Sequence, residues 1–250
     1  MKARGTRSPR TLSIDIGATG LKAAVLDPRG RLLTDRMRIK TPHPARPAPV
    51  LEALGTLVTA MPRFDRVAAG FPGVVEDNVV RTAANLHPDW IGVNLARRLE
   101  RLTGRPARVA NDADVQGMAV IAGKGVEMVI TLGTGVGSAM FLDGRLVPNL
   151  ELGHHPFRHG RTYEELLGDH ERKRIGKRKW HKRLGAAIET LLKAFNPRRL
   201  YLGGGNARLI EGRLPPRVQV VSNVAGVLGG IHLWGAAAAP RARKGAGSRP

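Results

Sequence analysis

The chain of 250 residues contains no cysteine. That excludes a disulfide framework, thiolate ligation of zinc or an iron–sulfur cluster, and a catalytic thiol. Aromatic residues make up only 4% of it, too few for a surface that stacks on bases. No apolar run approaches the ~18 residues of a membrane span. The first short run, Thr11 to Gly17, is broken by Asp15 and glycine, so no signal-peptide core follows the basic N-terminus. A cytoplasmic protein without a membrane partner is expected. Acidic residues are also scarce, with 20 Asp and Glu against 41 Lys and Arg and a net charge of +21. Hydrophobic residues at 42% suffice for a real core, and the length suits one large domain or two small lobes.

Most of the net charge sits in three segments without acids: four Lys/Arg in residues 1–10, four in 241–250 and eight in 172–183, RKRIGKRKWHKR. The segments 1–10 and 236–250 read as disordered basic tails, because small residues, proline and charge cannot bury enough area to order themselves. The internal cluster is no tail. Eight like charges held together repel one another, and an anionic partner would relieve that cost, although a solvated helix face is the common explanation of a charge run.

A repeat organises the chain. LSIDIGATGLKAAVLDPRGRLL (12–33) and MVITLGTGVGSAMFLDGRLV (128–147) share one grammar: a β-rich run, a Gly/Thr turn, a second apolar run, an Asp/Gly turn and a third run opening with Gly-Arg-Leu. Each copy predicts a three-stranded antiparallel meander. Between and after them, strands are expected at 66–75, 107–110, 200–205 and 218–221, and helices at 93–102, 113–122 and 224–238. Trp180, Leu184, Ile188, Leu191 and Phe195 lie on one face of a long helix that stops at Asn196-Pro197. The class is α/β in two lobes, divided as 11–112 and 113–235.

The glycine turns carry the first chemical signal. Asp15 ends a strand and leads into Gly17, Ala18, Thr19 and Gly20; the second copy has Gly133, Thr134, Gly135 and Gly137, and a third run is Gly203-Gly204-Gly205. Glycine lets a backbone approach a phosphate closely, so that amides and Thr hydroxyls can donate to its oxygens. Neither the Walker pattern nor a dinucleotide fingerprint is present. Asn111-Asp112 falls between a strand and a helix, which fits a helix cap and equally the strand end where open α/β sheets place ligand chemistry. Glu151 and His154 flank Gly153. Without HExxH spacing or an evident third ligand, that pair suits hydroxyl recognition better than metal.

Read in order, GFPGVV, TAANLHPDWIG, VANDAD, LGTGVGSAMFLDG, ELGHH and LYLGGGN resemble the ROK family of sugar kinases, and within it the polyphosphate glucokinase branch, over roughly residues 11–235. The resemblance implies a two-lobed ribonuclease-H-like (actin/hexokinase-type) fold and a phosphotransferase using ATP or polyphosphate on a hexose. It makes DIGATG, with Asp15, Gly17, Thr19, Gly20 and Lys22, and LGTGVG, with Gly133, Thr134 and Gly135, the phosphate loops. LGGG (Gly203, Gly204, Gly205) falls near the nucleotide base. Asp112 becomes the general base, and Asn85, Asn111, Glu151 and His154 bind the sugar. Glu164 is the choice for a second sugar-binding glutamate, with Glu165 the alternative. Mg2+ is implied with the phosphoryl donor, zinc is not, and a homodimer is the family expectation. Ala18 departs from the family's usual glycine. A regulatory, DNA-binding member of the family is the competing reading; only ten residues precede the first strand, so specific nucleic-acid binding is not expected.

The basic run adds a further assignment. Cations at a helix N-terminus oppose the macrodipole, so Lys177, Arg178 and Lys179 do not serve helix stability and are candidates for binding polyphosphate.

Overall fold

The structure is a computed structural model and describes residues 8–222 and 225–235. The expected tails therefore lie largely outside the described residues; Arg10, within the first, already donates its N–H to Asp65. No described helix is long and apolar enough to cross a membrane.

Both glycine-turn segments fold into antiparallel pairs. Thr11–Ile16 (β1) pairs with Leu21–Leu26 (β2), and the third strand is Met37–Ile39 (β3), set against Leu21 to Ala23. The third strand was expected at Gly30-Arg31-Leu32, where only an isolated Leu26–Leu32 bridge forms. The Asp27 carboxylate explains the displacement: it accepts from the N–H groups of Arg29 and Arg31 and from the Arg31 side chain, locking those residues in a turn. After helix Pro47–Thr59 (α1), Arg66–Phe71 (β4) joins β1 in parallel. β4 stops at Pro72, short of the expected 75, and Val75–Glu76 (β5) and Val79–Val80 (β6) make a small hairpin of their own, turning on Asp77 and Asn78 at positive φ. Helix Leu95–Thr103 (α2) is capped by the Asn94 side chain and ended by Gly104 in the left-handed region, and Ala107–Asn111 (β7) completes a five-stranded sheet in the order β3-β2-β1-β4-β7.

Helix Asp112–Met118 (α3) leads to the second copy. It ends earlier than the expected 122, because the buried Glu127 carboxylate gathers the N–H groups of Ala122, Gly123 and Lys124 into a turn. Val126–Leu132 (β8), Val136–Leu142 (β9) and Arg145–Val147 (β10) form the meander. A short hairpin, Pro156–Arg158 (β11) with Arg161–Thr162 (β12), precedes helices Tyr163–Leu167 (α4), Asp169–Ile175 (α5) and Lys177–Phe195 (α6). Arg199–Gly203 (β13) and Val218–Val220 (β14) add in parallel, giving the order β10-β9-β8-β13-β14. The two sheets thus repeat one plan, as the ribonuclease-H-like duplication requires.

Each sheet has its own core. Trp90 and Phe71 lie under α1 and α2, while Trp180, Leu184 and Ile188 of α6 pack on the second sheet, with the Trp180 indole N–H donating to the Leu167 carbonyl at 2.8 Å. The last described segment, expected as one helix, is Ala225–Leu228 (α7), a 3-10 turn and His232–Gly235 (α8), and it returns to the first sheet. There Ser13 donates to the Val227 carbonyl, and Gly229 and Gly230 approach so closely that a Cβ would fall 1.7 Å from the Val115 carbonyl oxygen and 2.2 Å from the Ser13 hydroxyl.

Candidate active site

Between the sheets lies a cleft of about 830 Å³. At its floor the first sheet ends and α3 begins. Asn111, the last residue of β7, accepts from the N–H groups of Ala113 and Asp114 and so caps α3; its amide donates to Gly73 carbonyl at 3.1 Å and Glu151 Oε1 at 3.3 Å. Asn111 therefore caps α3 and lines the cleft at once. Asp112 follows it on the cleft floor, one oxygen accepting from the Ala113 N–H at 2.8 Å. Burial pushes its carboxyl up to about 7; Asp15 and Glu151 push the same way, while the Ala113 hydrogen bond and Lys22 oppose them. A carboxyl near 7 can take a proton from a hydroxyl at neutral pH and release it afterwards.

One side of Asp112 is lined by carboxylate, imidazole and amide groups. Glu151 is raised by burial, with His154 at 3.4 Å acting against that shift and Glu164 adding to it. Glu164 reaches in from α4, accepts the Val136 N–H at 3.0 Å and sits within 3.5 Å of the Asn85 amide. Gly135 makes that possible, since a Cβ there would lie 2.0 Å from Glu164 Oε2. Glu165 instead closes a capping box with Thr162 on the outside of α4. Of the two glutamates, Glu164 lines the cleft and Glu165 does not.

The other side is lined by the two glycine turns. Asp15 and Lys22 pair across the first hairpin at 2.7 Å, and the turn between them closes with the Gly17 N–H donating to Gly20 carbonyl. The second turn closes likewise, Gly133 to Gly135. Thr19 and Thr134 line the cleft, as do Ala18, Gly204 and Gly205. Gly204 adopts φ +82° with its Cα so close to Leu132 that a Cβ would fall 2.4 Å from the carbonyl oxygen, a position that only glycine fills without strain. Gly203, expected in the site, lies behind the lining, packed on Gln116.

Lys177, Arg178 and Lys179 do not line this cleft, and Lys177 is hydrogen-bonded to Glu211. Arg172 and Lys173 do line it, both paired with Asp169. Sequence reasoning missed Arg38, Arg208 and Asn206. Asn206 ties two glycine turns together, donating from its side chain to Gly133 carbonyl at 3.2 Å and from its N–H to Leu132 carbonyl; its place directly after the glycine run was the available signal. It also missed Asp114, a buried carboxyl whose Oδ1 has no hydrogen-bond partner and which burial, then Asp112 and Glu151, push up to about 8.

The chain resembles known proteins along this whole framework. The ROK family model matches residues 11–162. Polyphosphate glucokinase of Mycobacterium tuberculosis (strain ATCC 25618 / H37Rv) is 34% identical over 233 residues, which span 86% of this chain and 88% of that protein. The crystal structure of an inorganic polyphosphate/ATP-glucomannokinase from Arthrobacter sp. strain KM superposes with a TM-score of 0.82 at 34% identity, covering 90% of this chain and 97% of the other. A ROK family glucokinase from Streptomyces griseus, solved with glucose and AMPPNP, shares the fold at a TM-score of 0.73 and 21% identity over 90% of this chain and 98% of its own. A duplicated sheet with paired glycine turns, a family model over most of that framework and a relative aligned along most of both chains together establish that this protein belongs to the ROK family.

Proposed function

We propose that the protein is a sugar kinase that moves a terminal phosphoryl group from inorganic polyphosphate, or from ATP as the alternative donor, to the 6-hydroxyl of glucose or a related hexose. The observation that carries this reading is the position of Asp112: one carboxyl near pH 7 between a wall of hydroxyl acceptors (Glu151, Glu164, His154) and a wall of glycine–threonine turns. Asn85, Asn111, Glu151, His154 and Glu164 orient the hexose by directed hydrogen bonds, which reject an acceptor lacking the matching hydroxyl. Asp112 accepts the hydroxyl proton as that oxygen bonds to phosphorus, and the bond from phosphorus to the leaving phosphate oxygen breaks. Loop amides, the hydroxyls of Thr19 and Thr134, and Lys22 receive the charge on the departing chain.

Among the described residues no three His, Asp or Glu side chains are grouped to hold a metal ion. That suits Mg2+, which arrives on phosphate and needs only one or two protein carboxylates. Asp15 fits that part: Oδ2 is held by Lys22, and Oδ1 faces no protein partner among the described residues. Bound there, Mg2+ would neutralise donor charge.

The test is a coupled assay of purified protein on glucose with ATP and polyphosphate compared as donors, together with Asp112→Asn. Removal of a general base costs ~10² to 10⁴ in rate, while hexose binding should persist. Failure of both donors to phosphorylate any hexose ends the proposal.

A further inference from the structure

Resting on polyphosphate as the donor, the structure bears on where the unreacted part of that polymer goes. The donor half of the cleft has Arg38 from β3 and Arg208 from the 3-10 turn Ala207–Leu209 after β13, and among the described residues no aromatic side chain lines it. Arg38 is partly occupied, reaching the Thr19 carbonyl at 3.4 Å, whereas Arg208 is exposed and has no ion-pair partner among the described residues.

The turn that carries Arg208 is docked on α6. His181 hydrogen-bonds to the Leu209 carbonyl at 2.9 Å, and Lys177 pairs with Glu211 just beyond it. Lys177 and His181 therefore form the edge of α6 that faces this turn. At about 100° per residue, Arg178 and Lys182 come next around the helix, with Lys179 beyond them, opposite the buried face of Trp180, Leu184 and Ile188. All three cations are exposed, and none has an ion-pair partner among the described residues. The neighbouring cations of the same run are used internally: Arg174 and Arg183 bond the buried Glu171, and Arg172 and Lys173 bond Asp169. What remains unneutralised is one strip, from the cleft over Arg208 and onto the outer face of the first turns of α6.

We propose that inorganic polyphosphate leaves the cleft over Arg208 and lies on α6 against Arg178, Lys182 and Lys179. Lys177, a candidate on sequence grounds, is replaced in this role by Lys182 because Glu211 already holds it. The track engages only a polymer long enough to reach it. Short donors fill the cleft alone.

The experiment compares long-chain polyphosphate, tetrapolyphosphate and ATP as donors for the full chain and two variants. Arg178→Gln/Lys179→Gln/Lys182→Gln should raise KM for long-chain polyphosphate about tenfold at low salt and leave tetrapolyphosphate and ATP unchanged. Its salt dependence should flatten by about one unit of log–log slope per lost contact. Arg208→Gln should raise KM for both polyphosphates. An unchanged long-chain KM in the triple variant, or an equal rise for all three donors, overturns the track while leaving the donor assignment standing. A wild-type protein that uses ATP and no polyphosphate overturns the donor assignment and the track with it.

Discussion

Asp112 sets a pH limb that can be worked out in advance. Its carboxyl is carried to about 7 by burial first and by the charges of Asp15 and Glu151 second. A general base works only when ionised. Half of the molecules then have a working base at pH 7, about a tenth at pH 6 and about a hundredth at pH 5. kcat/KM for the hexose should fall tenfold per unit below about 7 and level off above 8. Asp112→Asn should lose ~10² to 10⁴ in rate and lose the limb as well. The measurement is direct quantification of hexose phosphate from pH 5 to 9, which avoids the pH profile of coupling enzymes. Comparing the wild type with Asp112→Asn on one donor separates Asp112 from the donor's terminal phosphate, which titrates near pH 6 and is the same in both proteins. A wild-type profile flat from pH 5 to 8, or an Asp112→Asn variant that keeps the limb, would refute the reasoning.

Three further outcomes follow from neighbouring groups. Asp114 is buried, unpartnered at Oδ1 and raised to about 8, so its ionisation opposes folding by an amount that is absent below pH 4 and grows up to pH 8. Asp114→Asn should stabilise the protein by a gain that widens over that window to a few kcal/mol; a gain independent of pH in urea unfolding would show otherwise. Glu164→Gln should raise KM for the hexose at least tenfold, whereas Glu165→Ala should leave it unchanged and cost about 0.5–1 kcal/mol in stability by removing the capping box; the reverse pattern in steady-state kinetics would exchange the two roles. Glu171, 4% exposed and held down to about 2 chiefly by its Arg174 hydrogen bond, stabilises fully above about pH 4.5 and loses that contribution as pH falls toward 2. Glu171→Ala should cost about 2 kcal/mol at pH 7, shrinking toward nothing in acid, as followed by thermal unfolding.

The parts of this molecule legible in its sequence are those governed by neighbours in the chain. Both glycine hairpins, the α6 face from Trp180 to Leu191 and the Asn111-Asp112 strand end follow from periodicity and turn chemistry, and each is where it was expected. What escaped depends on individual side-chain hydrogen bonds that neither periodicity nor composition registers. The third strand of the first meander moved to Met37–Ile39 because Asp27 closed a tight turn on Arg29 and Arg31. Helix α3 was shortened by Glu127, which collects three amides from residues before it. Which charges of the run 172–183 remain available could not be read from composition, since Asp169 and Glu171 take up Arg172, Lys173 and Arg174 from just before it, and the fold brings Glu211 to Lys177. Glu164 was separable from Glu165 only once α4 showed which of the two faced inward.

The return of residues 225–235 to the first sheet means that the first lobe is not a continuous length of chain. The first sheet has all its strands by Asn111, yet one of its faces is covered by α3 and by a segment that arrives more than a hundred residues later, fastened by Ser13 to Val227 and by Arg108 to the Leu233 carbonyl, with the Trp234 ring between the guanidiniums of Arg66 and Arg108. A fragment ending at residue 111 would expose Ala68 and its neighbours to water, and a fragment beginning at 126 would carry a closing piece with nothing to close on. Any attempt to study the halves apart, or to exchange one half with a relative's, has to move three pieces of chain rather than two.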